Sequence, residues 1–285
     1  MALDIEDRPS DSPYVVRVWR SYSSGVEQMT SVATSHWELV VWEHRGSINV
    51  AVRGPETAAS LADVPDDSAS FGITFAHGAS MAHLPVSRLV DSYLETPHAT
   101  PRSFVLGGQE WELPEFDNAE VFVDRLVREG VLIRDPLVHD VVAAGGVQGI
   151  GTRSVQRRVA ATTGLTQGAI RQIERARQAA ILLGEGVPTI DVVHRLGYYD
   201  QPHLSRSLMH FVGRTATQLR HRRAVRQLLQ HHPQVRHLQR ADGARVEQHH
   251  RRSRRPHCRP TGQGRPRRRY RHVRQRDYRP LAPQP

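Results

Sequence analysis

Short runs of β-branched and aromatic residues dominate the first third of the chain. YVVRVWR (14–20), WELVVWE (37–43), SINVAVR (47–53) and FGITFA (71–76) each read as a strand. Gly46, Gly54, Pro55 and Gly78 punctuate them as turns. The period then lengthens. VSRLVDSY (86–93) predicts a short helix, and DNAEVFVDRLVREG (117–130) predicts a longer one, with Asp117 as N-cap, Glu120 three residues on and Gly130 as the stop. Asp135-Pro136 opens LVHDVVAAG, closed by Gly145 and Gly146. Strands followed by helices predict an α+β fold for 1–134, β-rich and small-barrel-like, of the kind that serves as a sensor domain.

From residue 152 the pattern is helical throughout. TRSVQRRVAATT (152–163) pairs Val155 with Val159 at i and i+4, turns Arg153, Gln156 and Arg157 the other way, and ends at Gly164. AIRQIERARQAAILL (169–183) carries Ile170, Ile173, Ala176, Ala180 and Leu183 along one stripe. Thr189 is placed to cap a short helix whose Ile190, Val193 and Leu196 face inward, and Gly197 turns the chain. Asp200 then caps a helix with Pro202 in its first turn, where a missing N–H costs little. Leu204, Leu208 and Phe211 form its apolar stripe, leaving His203, Arg206, Ser207 and His210 outward, with Gln201 at the exposed N-terminal end. A helix, a glycine turn and a second helix dressed with donors and acceptors is the helix-turn-helix pattern, whose second helix enters the DNA major groove.

The segment from about Thr152 to Arg220 resembles the C-terminal DNA-binding domain of AraC-type transcription regulators. The matching pieces are RSVQRRVAATTGLT, IERARQAAILL and IDVVHRLGYYDQPHLSRSLMHFVGRT, in that order and spacing. The resemblance implies two helix-turn-helix units joined by one long helix in an all-α domain at 135–220. Their recognition helices, Thr152–Thr163 and Gln201–Phe211, would enter groove faces about 34 Å apart on double-stranded DNA. The DNA-contacting residues it implies are Arg153, Ser154, Gln156 and Arg157 on the first, and Gln201, Pro202, His203, Ser205 and Arg206 on the second. It implies further a small-molecule effector, contact with RNA polymerase and a homodimer formed through the front domain. The chain departs from the family at Val159, where an aromatic is usual, and at Ala216, where a proline is usual. Only AAGGVQGIG separates the 136–144 helix from the first recognition helix, which is little room for a full positioning helix.

Charge sharpens this division. Residues 1–150 carry 22 Asp and Glu against 10 Arg, residues 151–220 carry 4 against 10, and residues 221–285 carry 3 against 19. Phosphate would repel the first segment and attract the others. Residues 221–285 hold too few apolar positions for a core, so a disordered basic tail is expected there. Two readings of that tail stay open: an arm adding nonspecific nucleic-acid affinity, the alternative function for the whole chain, or a frameshifted extension, since Arg, Gln, His and Pro share codons beginning with C.

Other chemistries find little footing. All 39 basic residues are arginine, and the single cysteine, Cys258, excludes an internal disulfide and a cysteine-rich zinc site. His36, His44, His77 and His83 lie in or beside predicted strands without an HxH pair or a recognisable ligand spacing, so no metal or other cofactor is expected. No Ser-His-Asp arrangement, P-loop or dinucleotide glycine pattern is present, and an enzyme is not expected. Trp19, Trp37, Trp42 and Phe75 read as core or as pocket walls. An acidic, polar start and the lack of any apolar run of about 18 residues point to a cytoplasmic protein without a membrane span.

Overall fold

A computed structural model of the chain describes residues 2–25, 28–64, 66–144 and 152–220. The glycines that were to close the 136–144 helix and the whole 221–285 tail lie outside the described residues.

The β-rich region holds twelve described strands: β1 (Ala2–Pro9), β2 (Val15–Ser24), β3 (Gln28–Ser31), β4 (Glu38–His44), β5 (Ser47–Arg53), β6 (Ser60–Asp63), β7 (Ser68–Phe75), β8 (Ala79–Met81), β9 (Tyr93–Glu95), β10 (Ser103–Leu106), β11 (Gln109–Glu112) and β12 (Leu132–Arg134). Six of them form one antiparallel sheet in the order β1-β2-β7-β4-β5-β9. The β3–β6, β10–β11 and β8–β12 pairs are separate two-stranded ribbons. Among the described strands no ladder joins β1 to β9, so the sheet is open where the sequence suggested a small barrel. The β4–β5 turn is the two residues Arg45 and Gly46, both at positive φ, the geometry that keeps a tight hairpin in step with strand twist.

All four predicted strands form, and their alternation is what builds the core. Val18, Leu39, Val52 and Ile73 meet on one face, where helix α1 (Ala119–Arg128) adds Phe122, Val123 and Leu126. Trp37 stacks on Phe75 with ring centroids 3.8 Å apart. Two local expectations fail. Residues 86–93 make only one 3-10 turn, Val86–Arg88, before the chain extends into β9. Asn118 rather than Asp117 precedes α1, and its side-chain oxygen accepts the Glu115 N–H at 2.8 Å while its own N–H donates to the Glu115 carbonyl, which closes the turn leading into the helix.

Six helices follow among the described residues: α2 (Pro136–Ala144), α3 (Thr152–Thr163), α4 (Gln167–Gly184), α5 (Thr189–Arg195), α6 (Gln201–Phe211) and α7 (Ala216–Arg220). Val138 and Val141 of α2 share an apolar cluster with Val155 and Val159 of α3 and Ile170 and Ile173 of α4. Helix α4 buries the whole predicted stripe, and from Ala176 to Leu183 it is buried all round. The reason is that it is packed from two sides, by α5, α6 and α7 on one and by the β-rich region on the other.

The change of character at residue 135 falls between β12 and α2, yet sheet and helices belong to one compact unit. The Ala33 N–H donates to the Phe211 carbonyl and the Ala59 N–H to the His210 carbonyl, both at 2.8 Å. Gly213, at φ +69°, lets the chain leave α6 close against this region, where a Cβ would lie 2.8 Å from Thr30 Cγ2.

Candidate nucleic-acid interface

Helix α6 is built to hold one face out. Asp200 sits in extended backbone and its carboxylate accepts the His203 N–H at 2.7 Å, while Pro202 occupies the first turn. Leu204, Leu208 and, at the exit, Val212 are buried against α4 and α5. The exposed positions are Gln201, Pro202, Ser205, Arg206, Met209 and His210, a single stripe at i, i+1, i+4, i+5, i+8 and i+9. Arg206 makes no ion pair or hydrogen bond among the described residues.

Ser207 is a correction. Expected outward, it is only 9% exposed, and its hydroxyl meets the Tyr198 hydroxyl at 3.1 Å. Position 207 falls three residues after Leu204 and so lies on the inner side. Tyr198, buried in the turn after Gly197, needs a partner for its hydroxyl, and Ser207 supplies it. Burial pushes the Tyr198 phenol up, and the Ser207 bond and the Arg175 guanidinium, 4.4 Å from its ring, offset only part of that rise. His203 is half-buried, edge-on to Tyr198, with Nδ1 3.4 Å from the Tyr199 N–H. It therefore has less freedom to reach outward than the exposed residues of the helix. His210 is exposed as expected.

In α5 the inward residues are Val192 and Val193, whereas Ile190 is 47% exposed. Pro188 takes the cap position without a side-chain bond, and the Thr189 hydroxyl accepts from Arg220 instead. Sequence pattern missed these because a helix of seven residues has only two turns, too few to define a face.

Helix α3 presents Arg153, Ser154, Gln156 and Arg157, all exposed. Arg158 is taken by Asp135 at 2.8 Å. Its other end meets the β-rich region, where Thr162 and Thr163 line a minute cavity with Ser35, His36 and His77. All nine sequence-predicted contact residues thus lie on two helices, eight of them exposed and His203 half so.

That junction holds a polar network no sequence pattern announced. Ser35 Oγ donates to Glu174 Oε1 at 2.6 Å, which leaves His77 Nε2–H to donate to Ser35 at 3.0 Å. The His36 ring lies 3.9 Å from the His77 ring and its Nδ1 is 2.9 Å from the Phe75 carbonyl. Burial pushes His36 down to about 4 and His77 well below the usual histidine value, so both are neutral near pH 7. Arg177 of α4, 7% exposed, donates to the Ala33 carbonyl at 2.6 Å and is held by the fields of Glu174, Glu38 and Glu56. With a cavity of only about 10 Å³, the network admits no substrate and acts as a fastening between α4 and the β-rich region. Among the described residues no group of three or more His, Cys, Asp or Glu is placed to hold a metal ion. No helix among them is long and apolar enough to cross a membrane.

The chain was compared with family models, with curated proteins and with solved structures, and none of them matches it.

Proposed function

We propose that the chain is a sequence-specific DNA-binding transcription regulator of AraC type, acting in the cytoplasm. In this reading a β-rich sensor domain at 1–134 precedes a double helix-turn-helix domain at 135–220. Helices α5 and α6 form the second unit, α2 and α3 form a shortened first unit, and α4 joins them. The observation that carries it is the outward stripe of α6. Gln201, Ser205 and Arg206 are exposed together and capped into register by Asp200, while Leu204 and Leu208 fix the opposite side. An arginine and a glutamine on the exposed face of one helix match the hydrogen-bonding edges of guanine and adenine. Arg153, Ser154, Gln156 and Arg157 on α3 offer the second set, and the proposed partners include a small-molecule effector, RNA polymerase and a second copy of the chain.

A second reading rests on the 19 arginines of 221–285, which would bind nucleic acid without regard to sequence. Selection of binding sites from random duplex DNA by the full chain separates the two. The regulator reading expects an enriched, asymmetric motif, and Arg206→Ala should weaken binding to it by about 1–3 kcal/mol. A selection that enriches nothing, or an enriched site bound equally by Arg206→Ala, would overturn the assignment of α6.

A further inference from the structure

The core face of the six-stranded sheet changes character along the strands. At one level Val18, Ile73, Leu39 and Val52 are aligned across β2, β7, β4 and β5 and are closed over. Four residues further along each of these strands, the row reads Asp4, Tyr22, Ala69, Glu43 and Ile48 across β1, β2, β7, β4 and β5. This row is not closed over. The segment Leu113–Phe116 hangs above it and leaves a cavity of about 470 Å³, within the range of small-molecule sites.

The walls are apolar. Phe71, Ile48, Leu113 and Phe116 line the cavity, and the short side chain of Ala69 keeps the centre of the row open. Its charge is one-sided: four carboxylates, Asp4, Glu6, Glu43 and Glu115, face a single guanidinium, Arg20. Arg20 is already spoken for, since it pairs with Glu6 at 2.6 Å and lies over the Phe116 ring at 4.6 Å. Asp4, Glu43 and Glu115 have no ion pair or side-chain hydrogen bond among the described residues. The Tyr22 hydroxyl is bonded to Asp67, which leaves the cavity side to its ring.

We propose that this cavity binds an amphipathic organic cation, an amine or amidine carried on a flat apolar body. The body lies on Phe71 and Ile48 beneath Leu113, and the cationic head sits beside Glu43, next to the gap at Ala69, within reach of the Tyr22 ring. Asp4 and Glu115 deepen the negative potential of the opening and so favour cations over isosteric neutral or anionic molecules. An anion would meet three unpaired carboxylates, and a sugar would leave the apolar walls unsatisfied. This inference gives a ligand class to the effector in the regulator reading and rests on it for the effector's role. Binding itself is measured without DNA, so its failure leaves the DNA-binding reading standing.

The test is calorimetric titration of the full chain at pH 7 with three molecules of nearly one shape: tryptamine, which is cationic, tryptophol, which is neutral, and indole-3-acetate, which is anionic. Tryptamine should bind at least about tenfold more tightly than either of the others, the effect of one favourable charge contact in a partly enclosed site. Glu43→Gln should remove that preference, and Ala69→Leu, which fills the gap, should weaken all three. Both positions are exposed, and circular dichroism checks that the variants keep their fold. Equal binding of the three, no saturable binding of tryptamine, or an undiminished preference in Glu43→Gln would each overturn the proposal.

Discussion

Arg177 and Arg206 are the same residue type on two helices of one unit, and they have opposite circumstances. Arg177 is buried against the β-rich region, donates to a backbone carbonyl and sits in the field of three glutamates. Arg206 stands in solvent with its donors unengaged by the described residues. A buried guanidinium is committed to holding the fold together, because removing its partners or itself leaves charges stranded in low dielectric. An exposed one contributes little to stability and is available for an outside partner. Positive charge along a sequence therefore says less about nucleic-acid binding than the burial of each charge does.

The comparison can be broken most severely at Arg177. Arg177→Ala should cost about 3–5 kcal/mol of stability, read from urea unfolding, because Glu174 and Glu38 lose a buried counter-charge. A loss below about 1 kcal/mol would mean that α4 is not fastened in this way. Next comes pH. His36 has its folded value lowered to about 4 from an ordinary 6.5, so the unfolded chain takes up the proton first as pH falls. Its contribution is present above about pH 6.5 and is lost on the way down through pH 4, with about 2 kcal/mol gone by pH 5. His77 is shifted in the same direction and adds to the slope. The groups around the pair are the Phe75 carbonyl, Arg17, Arg177, His139 and Glu174, and His36→Gln should flatten the dependence of the unfolding midpoint between pH 7 and 5.

Smaller effects sharpen the other side. Asp200→Ala should cost about 1 kcal/mol through the lost cap, visible as a lower thermal midpoint. Arg206→Ala should change stability by no more than about 0.5 kcal/mol while weakening the selected DNA site. If instead it destabilises the fold as Arg177→Ala does, the contrast between the two arginines disappears.

Much of the scaffold was legible because it depends on local regularities. Val15–Ser24, Glu38–His44, Ser47–Arg53 and Ser68–Phe75 were visible as β-branched runs, and Thr152–Thr163, Gln167–Gly184 and Gln201–Phe211 as repeats at helical spacing. Asp200 and Gly164 did what their residue types suggest. Ser207 and Ile190 were misplaced because each sits at the border of an apolar stripe, where one turn of a neighbouring helix decides which side is covered. The exposure of Gln201, Ser205 and Arg206 was legible, since their spacing opposes that of Leu204 and Leu208.

By itself, the order of residues determined where four strands of the main sheet and the longer helices lie, the apolar stripe of α4 and most of that of α6, and how charge is divided along the chain. It did so because propensity, capping and periodicity act over a few neighbouring residues. Tertiary structure alone decided that Ser35, His36, His77, Glu174 and Arg177 meet, that Ser207 turns in to Tyr198, and that Asp4 and Glu43 flank one cavity. Ser35 and Glu174, which bond directly, lie 139 positions apart. Their burial depends on surfaces that exist only after the elements have packed.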